Sequence, residues 1–144
     1  MRKMASVAAV LVASTALVIG ATSEAAPAKV IHTDFFIQSG TESGGPHGFE
    51  ATVFGRIDST KRKCVHRRKV KLYFKRNGER HLRDTGLSSR NGAIGLTARA
   101  RAAPDRYIMI VTKKRIHTRH PYTCWRAHDG KKPFSNTPPP PPPP

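Results

Sequence analysis

The chain is expected to fold as an all-β sandwich closed by one disulfide, and three features lead to that expectation. Short apolar or alternating runs are separated by the turn signals Asn77-Gly78, Asn91-Gly92 and Ala103-Pro104-Asp105. No stretch of the body carries a helical period, and Gly, Pro and β-branched residues recur throughout it. Cys64 and Cys124 are the 2 cysteines of the chain and bracket most of that body. The 144 residues allow one domain. Lys and Arg number 26 against 9 acids, a formal charge of +17, so an acidic ligand-binding protein is excluded. An apolar fraction of 38% excludes a multi-span membrane protein.

Residues 1–26 are expected to be a signal-peptide helix. Met1-Arg2-Lys3 is the positive start, and Met4 to Ala21 is uncharged and rich in Ala, Val and Leu. Thr22 to Ala26 is the polar, small-residue exit, with cleavage after Ala25, Ala26 or Ala28. An uncleaved anchor is the alternative reading of so long an apolar run. The exported chain keeps 24 basic and 8 acidic residues, a charge of +16. It is expected to be secreted or held at the cell envelope.

Residues 27–48 read as an N-terminal strand, Lys29 to Ile37, and a Gly-rich linker, Gln38 to Gly48. Residues 49–130 read as the sandwich. Its first strand is Phe49–Ile57. In Lys69–Lys75, Val70, Leu72 and Phe74 alternate with Lys69, Lys71, Tyr73 and Lys75, which puts one apolar and one cationic face on a strand. His81–Leu87 and Ala93–Arg99 follow. Arg106–Thr112 is almost wholly apolar and reads as a strand buried on both faces. A last strand is expected over Thr118–Ala127. Residues 131–144 read as a linker and a disordered Pro-rich tail, Pro138–Pro144 being restricted to polyproline II. That tail reads as a stiff spacer, with docking into an aromatic groove as the alternative.

In an exported domain of this size the two cysteines are most simply one Cys64–Cys124 bridge. Trp125, next in the chain, is expected to pack on it, and the phenylalanines are assigned to the core.

The order Val70-Lys-Leu72, Asn91-Gly92-Ala-Ile-Gly-Leu96 and Ala103-Pro104-Asp105-Arg-Tyr107-Ile-Met-Ile-Val111 resembles the carboxypeptidase regulatory-like (transthyretin-like) β-sandwich family over about fifty residues. Asp105 stands where that pattern has glycine. More narrowly, Gly55 to Ser59, Cys64, Arg68-Lys-Val70, Asn91-Gly92, Tyr107 and Cys124 are similar to small secreted actinobacterial proteins of unknown function. The resemblance implies an Ig-like/transthyretin-like sandwich, a structural or binding module without catalytic residues of its own, and a packing role for Tyr107.

Between Arg56 and Arg90 lie 13 of the Lys and Arg residues and 3 acids. The candidate polyanion-binding residues are Lys61, Arg62, Lys63, Arg67, Arg68, Lys69, Lys71, Lys75 and Arg76. Clustered cations gain affinity by releasing counterions from phosphate or sulfate, and Arg62, Arg67, Arg68, Arg76 and Arg80 can grip such groups with two prongs. Wall polymers, lipid headgroups and extracellular nucleic acid are the expected partners of a monomer. Tyr73, Tyr122 and Trp125 are candidates for stacking beside the cations.

His117, His120 and His128 lie near Cys124, but Lys113, Lys114, Arg115 and Arg119 would repel a divalent cation, so neither a metal nor any other cofactor is expected. G-x-S-x-G, P-loop and H-E-x-x-H motifs are absent, and the chain is read as no enzyme. The alternatives to a polyanion-binding module are a cationic membrane-active effector and a ligand-free structural accessory domain.

Overall fold

The computed structural model describes residues 27–134. The signal-peptide reading of 1–26 and the polyproline reading fall outside the described residues. Within them the fold is all-β and sandwich-like. The strands are β1 (Lys29–Ile31), β2 (Asp34–Gly45), β3 (Gly48–Asp58), β4 (Lys69–Arg76), β5 (Glu79–Leu87), β6 (Ala93–Ala100), β7 (Arg106–Val111), β8 (Lys114–Ile116), β9 (Tyr122–Cys124) and β10 (Ala127–Lys131). A single 3₁₀ turn, Arg62–Cys64, is described between β3 and β4.

Two sheets face each other, in the orders β2-β3-β6 and β10-β7-β4-β5. The alternation in β4 decides the packing. Val70, Leu72 and Phe74 are buried and meet Tyr107, Met109 and Val111 of β7 in the same layer. Phe35, Ile37, Val53, Ile57, Ile94 and Leu96 supply the opposite layer. Side-chain carboxylates help close the two seams between the sheets. At one seam Asp129 Oδ2 of β10 accepts the Ile37 N–H of β2 at 2.8 Å. At the other, Asp84 Oδ2 of β5 accepts the Thr97 N–H of β6 at 3.1 Å.

The third sheet, β1-β9-β8, has its own small core of Ile31, Cys64, Ile116 and Cys124, with Tyr122 against it. The Cys64–Cys124 disulfide is formed there.

Several expectations are corrected. Lys29–Ile37 is not one strand. The chain changes sheet at His32-Thr33, where the Thr33 hydroxyl is buried as a hydrogen-bond acceptor for Arg68. The Gly-rich stretch 38–48 is no linker. Most of it forms the outer half of the long β2–β3 hairpin, with the register shifting between Ile37 and Ser39. A ladder is built from backbone groups, so Ser and Gly can extend it, and Gly48 takes φ 120° as the chain re-enters β3.

β7 is not buried on both faces. Ile108 and Ile110 are only half-buried, because the outer face of the four-stranded sheet is open. Thr118–Ala127 is not one strand either. Pro121 lacks an N–H, and the segment instead supplies the turn and second strand of the β8–β9 hairpin, with the Thr118 hydroxyl donating to His120 O at 2.8 Å, before β10 joins another sheet.

The C-terminal linker reading of 131–134 also fails. The Phe134 ring stacks on Tyr107 at 5.5 Å between centroids, and its N–H donates to Glu42 Oε1 at 2.8 Å. The Tyr107 hydroxyl donates to the same Glu42 oxygen at 2.6 Å. Burial first, and then the bond to the Glu42 carboxylate, push the Tyr107 phenol well above its ordinary range. The folded state therefore keeps a proton that the unfolded chain gives up, and the resulting stability is present at neutral pH and lost on alkalinisation. Between about pH 8 and about pH 11 the wild-type urea midpoint is expected to fall more steeply than that of Tyr107→Phe. Parallel curves would refute this account of Tyr107.

Candidate cationic binding face

The register of the four-stranded sheet decides which residues share its outer face. On β4 these are Lys69, Lys71, Tyr73 and Lys75, opposite the buried positions. Lys71, Tyr73 and Lys75 pair with Ile110, Ile108 and Arg106 of β7. On the other side Lys69, Lys71, Tyr73 and Lys75 pair with Leu87, Thr85, Leu82 and Arg80 of β5. His128 and Gly130 of β10 complete the surface beside Ile110 and Ile108. Residues at i and i+2 of a strand stand about 6.8 Å apart and neighbouring strands about 4.8 Å apart. Five cations thus lie on one two-dimensional grid, interleaved with aliphatic side chains. Leu82 and Leu87 are 51% and 54% exposed.

The face is concave at one end. Lys75, Arg80, Arg106, Ile108, His128 and Asp129 line a depression of about 460 Å³. That carboxylate is already committed to the N–H groups of Ile37 and Gly130. The strand register sets no Asp or Glu on the outer face of β4 or β7. Such a surface attracts phosphate or sulfate groups by counterion release, and its aliphatic side chains suit the apolar parts of a ligand.

The other predicted site residues are elsewhere. Lys61, Arg62, Lys63 and Arg67 are exposed in the segment around the disulfide. Lys61 lines a different hollow of about 350 Å³ with Lys29, Arg119 and His120. Arg67 takes φ 52°, which turns the chain immediately before Arg68. Arg76 ends β4 at the Asn77-Gly78 turn and lines a third hollow. The nine candidates therefore form no continuous patch.

Arg68 is not a docking residue. It is 0% exposed, and its guanidinium serves four internal acceptors. Nη1 donates to Cys64 O at 2.7 Å and Thr33 Oγ1 at 3.2 Å. Nη2 donates to Thr112 O at 2.6 Å and Trp125 O at 2.8 Å. Its backbone N–H is taken by the Ser88 hydroxyl at 2.8 Å. Burial lowers its pKa to about 10. The arginine inside a basic run is thus turned inward because four separate segments converge on it with free carbonyl or hydroxyl oxygens. Lys114 is also held below the ordinary lysine range, by burial and then by Arg68 and Arg67, and it donates to His66 O at 3.0 Å.

Trp125 is 37% exposed, and its ring carries the Lys113 ammonium at 4.3 Å from the centroid. The small core around the disulfide is completed by Tyr122, not by this indole. Sequence reasoning missed Arg106 as a partner of the Lys69–Lys75 row, since only the β4–β7 register brings it alongside Lys75. Among the described residues no group of three or more His, Cys, Asp or Glu is placed to hold a metal ion.

No protein family, curated protein or solved structure matches the chain. The disulfide is compatible with an extracellular or secreted protein.

Proposed function

We propose that the protein is a secreted, non-catalytic, monomeric module on an Ig-like/transthyretin-like sandwich, and that it holds anionic envelope or extracellular polymers on the outer face of the four-stranded sheet. The observation that carries this reading is the alignment of Lys69, Lys71 and Lys75 with Arg80 and Arg106 across three strands. The binding is electrostatic and multivalent, and it selects charge density over sequence.

The test is binding of the oxidised protein to duplex DNA, used as a defined polyanion, across a salt series. Lys69→Ala/Lys71→Ala/Lys75→Ala is compared with the equally charged control Lys61→Ala/Arg62→Ala/Lys63→Ala. The first is expected to reduce the slope of log K against log salt by about 2–3, and the control by less than about 1. Equal reductions would show diffuse charge and overturn the assignment of the face.

A second reading, a membrane-active cationic effector, is favoured by Leu82, Leu87, Ile108 and Ile110 standing among the cations. It requires dye release from anionic vesicles, and intact vesicles at micromolar protein would end it.

A further inference from the structure

A second cationic cluster lies at the end of the sandwich where β5 parts from β6. Arg76, His81, Arg83 and Arg101 line a hollow of about 360 Å³ together with Phe74 and Pro104. Its volume falls in the range of small-ligand pockets. The β4–β5 bulge builds it. Leu72 pairs with Asp84 and Tyr73 with Leu82, so Arg83 is the extra residue. It is aimed across the ring of Phe74, its guanidinium carbon 5.8 Å from the centroid. Bulges re-aim side chains in this way beside binding sites.

Two of the nearby acids are tied to backbone N–H groups, and the exposed Glu79 stands opposite Arg76 in the ladder and 3.6 Å from His81. Asp105 accepts the Asn77 N–H at 2.8 Å. Asp84 accepts the N–H groups of Thr85 and Thr97. Among the described residues Arg76, Arg83 and Arg101 have no carboxylate within ion-pair distance. Three guanidiniums without an ion-pair partner around one hollow suit a compact dianion, and Ala100, Ala102 and Pro104, which also line it, suit a small apolar body.

We propose that this end pocket is a discrete binding site for an oxyanion ester, a phosphate monoester in preference to a sulfate monoester. It is separate from the outer sheet face and does not depend on that face binding polymers. The preference follows from charge, since a phosphate monoester carries about −1.5 to −2 at neutral pH.

The probes are phenyl phosphate, phenyl sulfate and phenol, titrated into the oxidised protein at fixed ionic strength by calorimetry. Phenyl phosphate is expected to bind saturably at one site, and phenol not at all. Arg83→Met and Arg101→Met are each expected to weaken it about tenfold or more, while Lys63→Met, in the disulfide segment, leaves it unchanged. In the wild type, amide shifts are expected at His81, Arg83, Arg101 and Ala102, a readout that needs no variant to fold.

Phenyl phosphate bound more tightly than phenyl sulfate supports the proposal as stated. Equal binding of the two overturns the phosphate preference but retains the oxyanion-ester site. Non-saturable binding, shifts spread over the surface, or a Lys63→Met effect as large as that of Arg83→Met overturns the site itself.

Discussion

Replacing Arg68 by alanine is expected to cost about 3 kcal/mol or more of folding stability. Two opposing effects meet at this residue. Burial of the guanidinium is itself unfavourable, as its lowered pKa shows. No carboxylate is among its hydrogen-bond partners, so the penalty is offset by hydrogen bonds alone. Once the side chain is gone, however, Cys64 O and the Thr33 hydroxyl are left buried without their donor, and Thr112 O and Trp125 O lose theirs at part-buried positions. Each buried orphan costs about 1–3 kcal/mol, so several lost acceptors outweigh the relief of one desolvated charge. Arg68→Met, which keeps much of the volume, is therefore expected to be destabilised as well, and this separates lost hydrogen bonds from lost packing. For a domain near 100 residues, about 3 kcal/mol corresponds to a fall of about 12 °C or more in Tm. Lys63→Ala, a change of the same charge on an exposed residue, is expected to stay within about 0.5 kcal/mol of wild type. An Arg68→Ala protein as stable as Lys63→Ala would show that the buried guanidinium is dispensable.

Removing the disulfide in Cys64→Ala/Cys124→Ala is expected to cost about 4 kcal/mol, the chain-entropy value for a loop of 60 residues. The loss should be unevenly distributed. β1, β8 and β9 have three residues each, too few to hold a sheet without a staple. The facing sheets keep their own core of Val53, Leu72, Tyr107 and Met109. Amide exchange is therefore expected to accelerate strongly at Lys29–Ile31, Lys114–Ile116 and Tyr122–Cys124, and weakly in β3, β4 and β7. Uniform acceleration would mean that the two cores open as one unit. Because Cys64 O is also an Arg68 acceptor, the two losses are expected to combine non-additively when both changes are made.

The ease with which each part of the fold could be read from sequence follows from the range of the interactions involved. β4 announced itself, since its apolar and cationic residues alternate and its neighbours are turns. The Cys64–Cys124 bridge followed from there being two cysteines in a chain with an export-like start. Long-range pairing was less accessible. The Gly and Ser residues of β2 carry no apolar pattern, and their strand character comes from a partner, β3. β7 reads as a strand buried on both faces because Ile108 and Ile110 are apolar, yet they lie on the open face between Arg106 and the lysines of β4.

The candidate site was half visible for the same reason. Lys69, Lys71 and Lys75 share a side by simple alternation. Arg106 and Arg80 join them through register, which no local pattern encodes. Arg68 lies one residue from this row, and charge alone gives no sign of its inward turn. That depends on Thr33, Thr112 and Trp125 arriving from distant parts of the chain.

Five acids of the described residues are held in hydrogen bonds within the fold. Glu42 holds Tyr107 and Phe134, and Asp84 and Asp129 help fasten the two seams. Asp105 secures a turn, and Glu50 is bound to Arg99. The lysines of the outer face have no such attachments. Apart from the inward-turned Arg68 and Lys114, the charged groups that hold the framework are thus acids, while those of the outer face are cations. Evolution or a designer can retune the reach, density or number of the outer-sheet cations one at a time, with no compensating change in the framework, whereas one of these five acids exchanged for a neutral residue is felt in the fold before it is felt by any ligand.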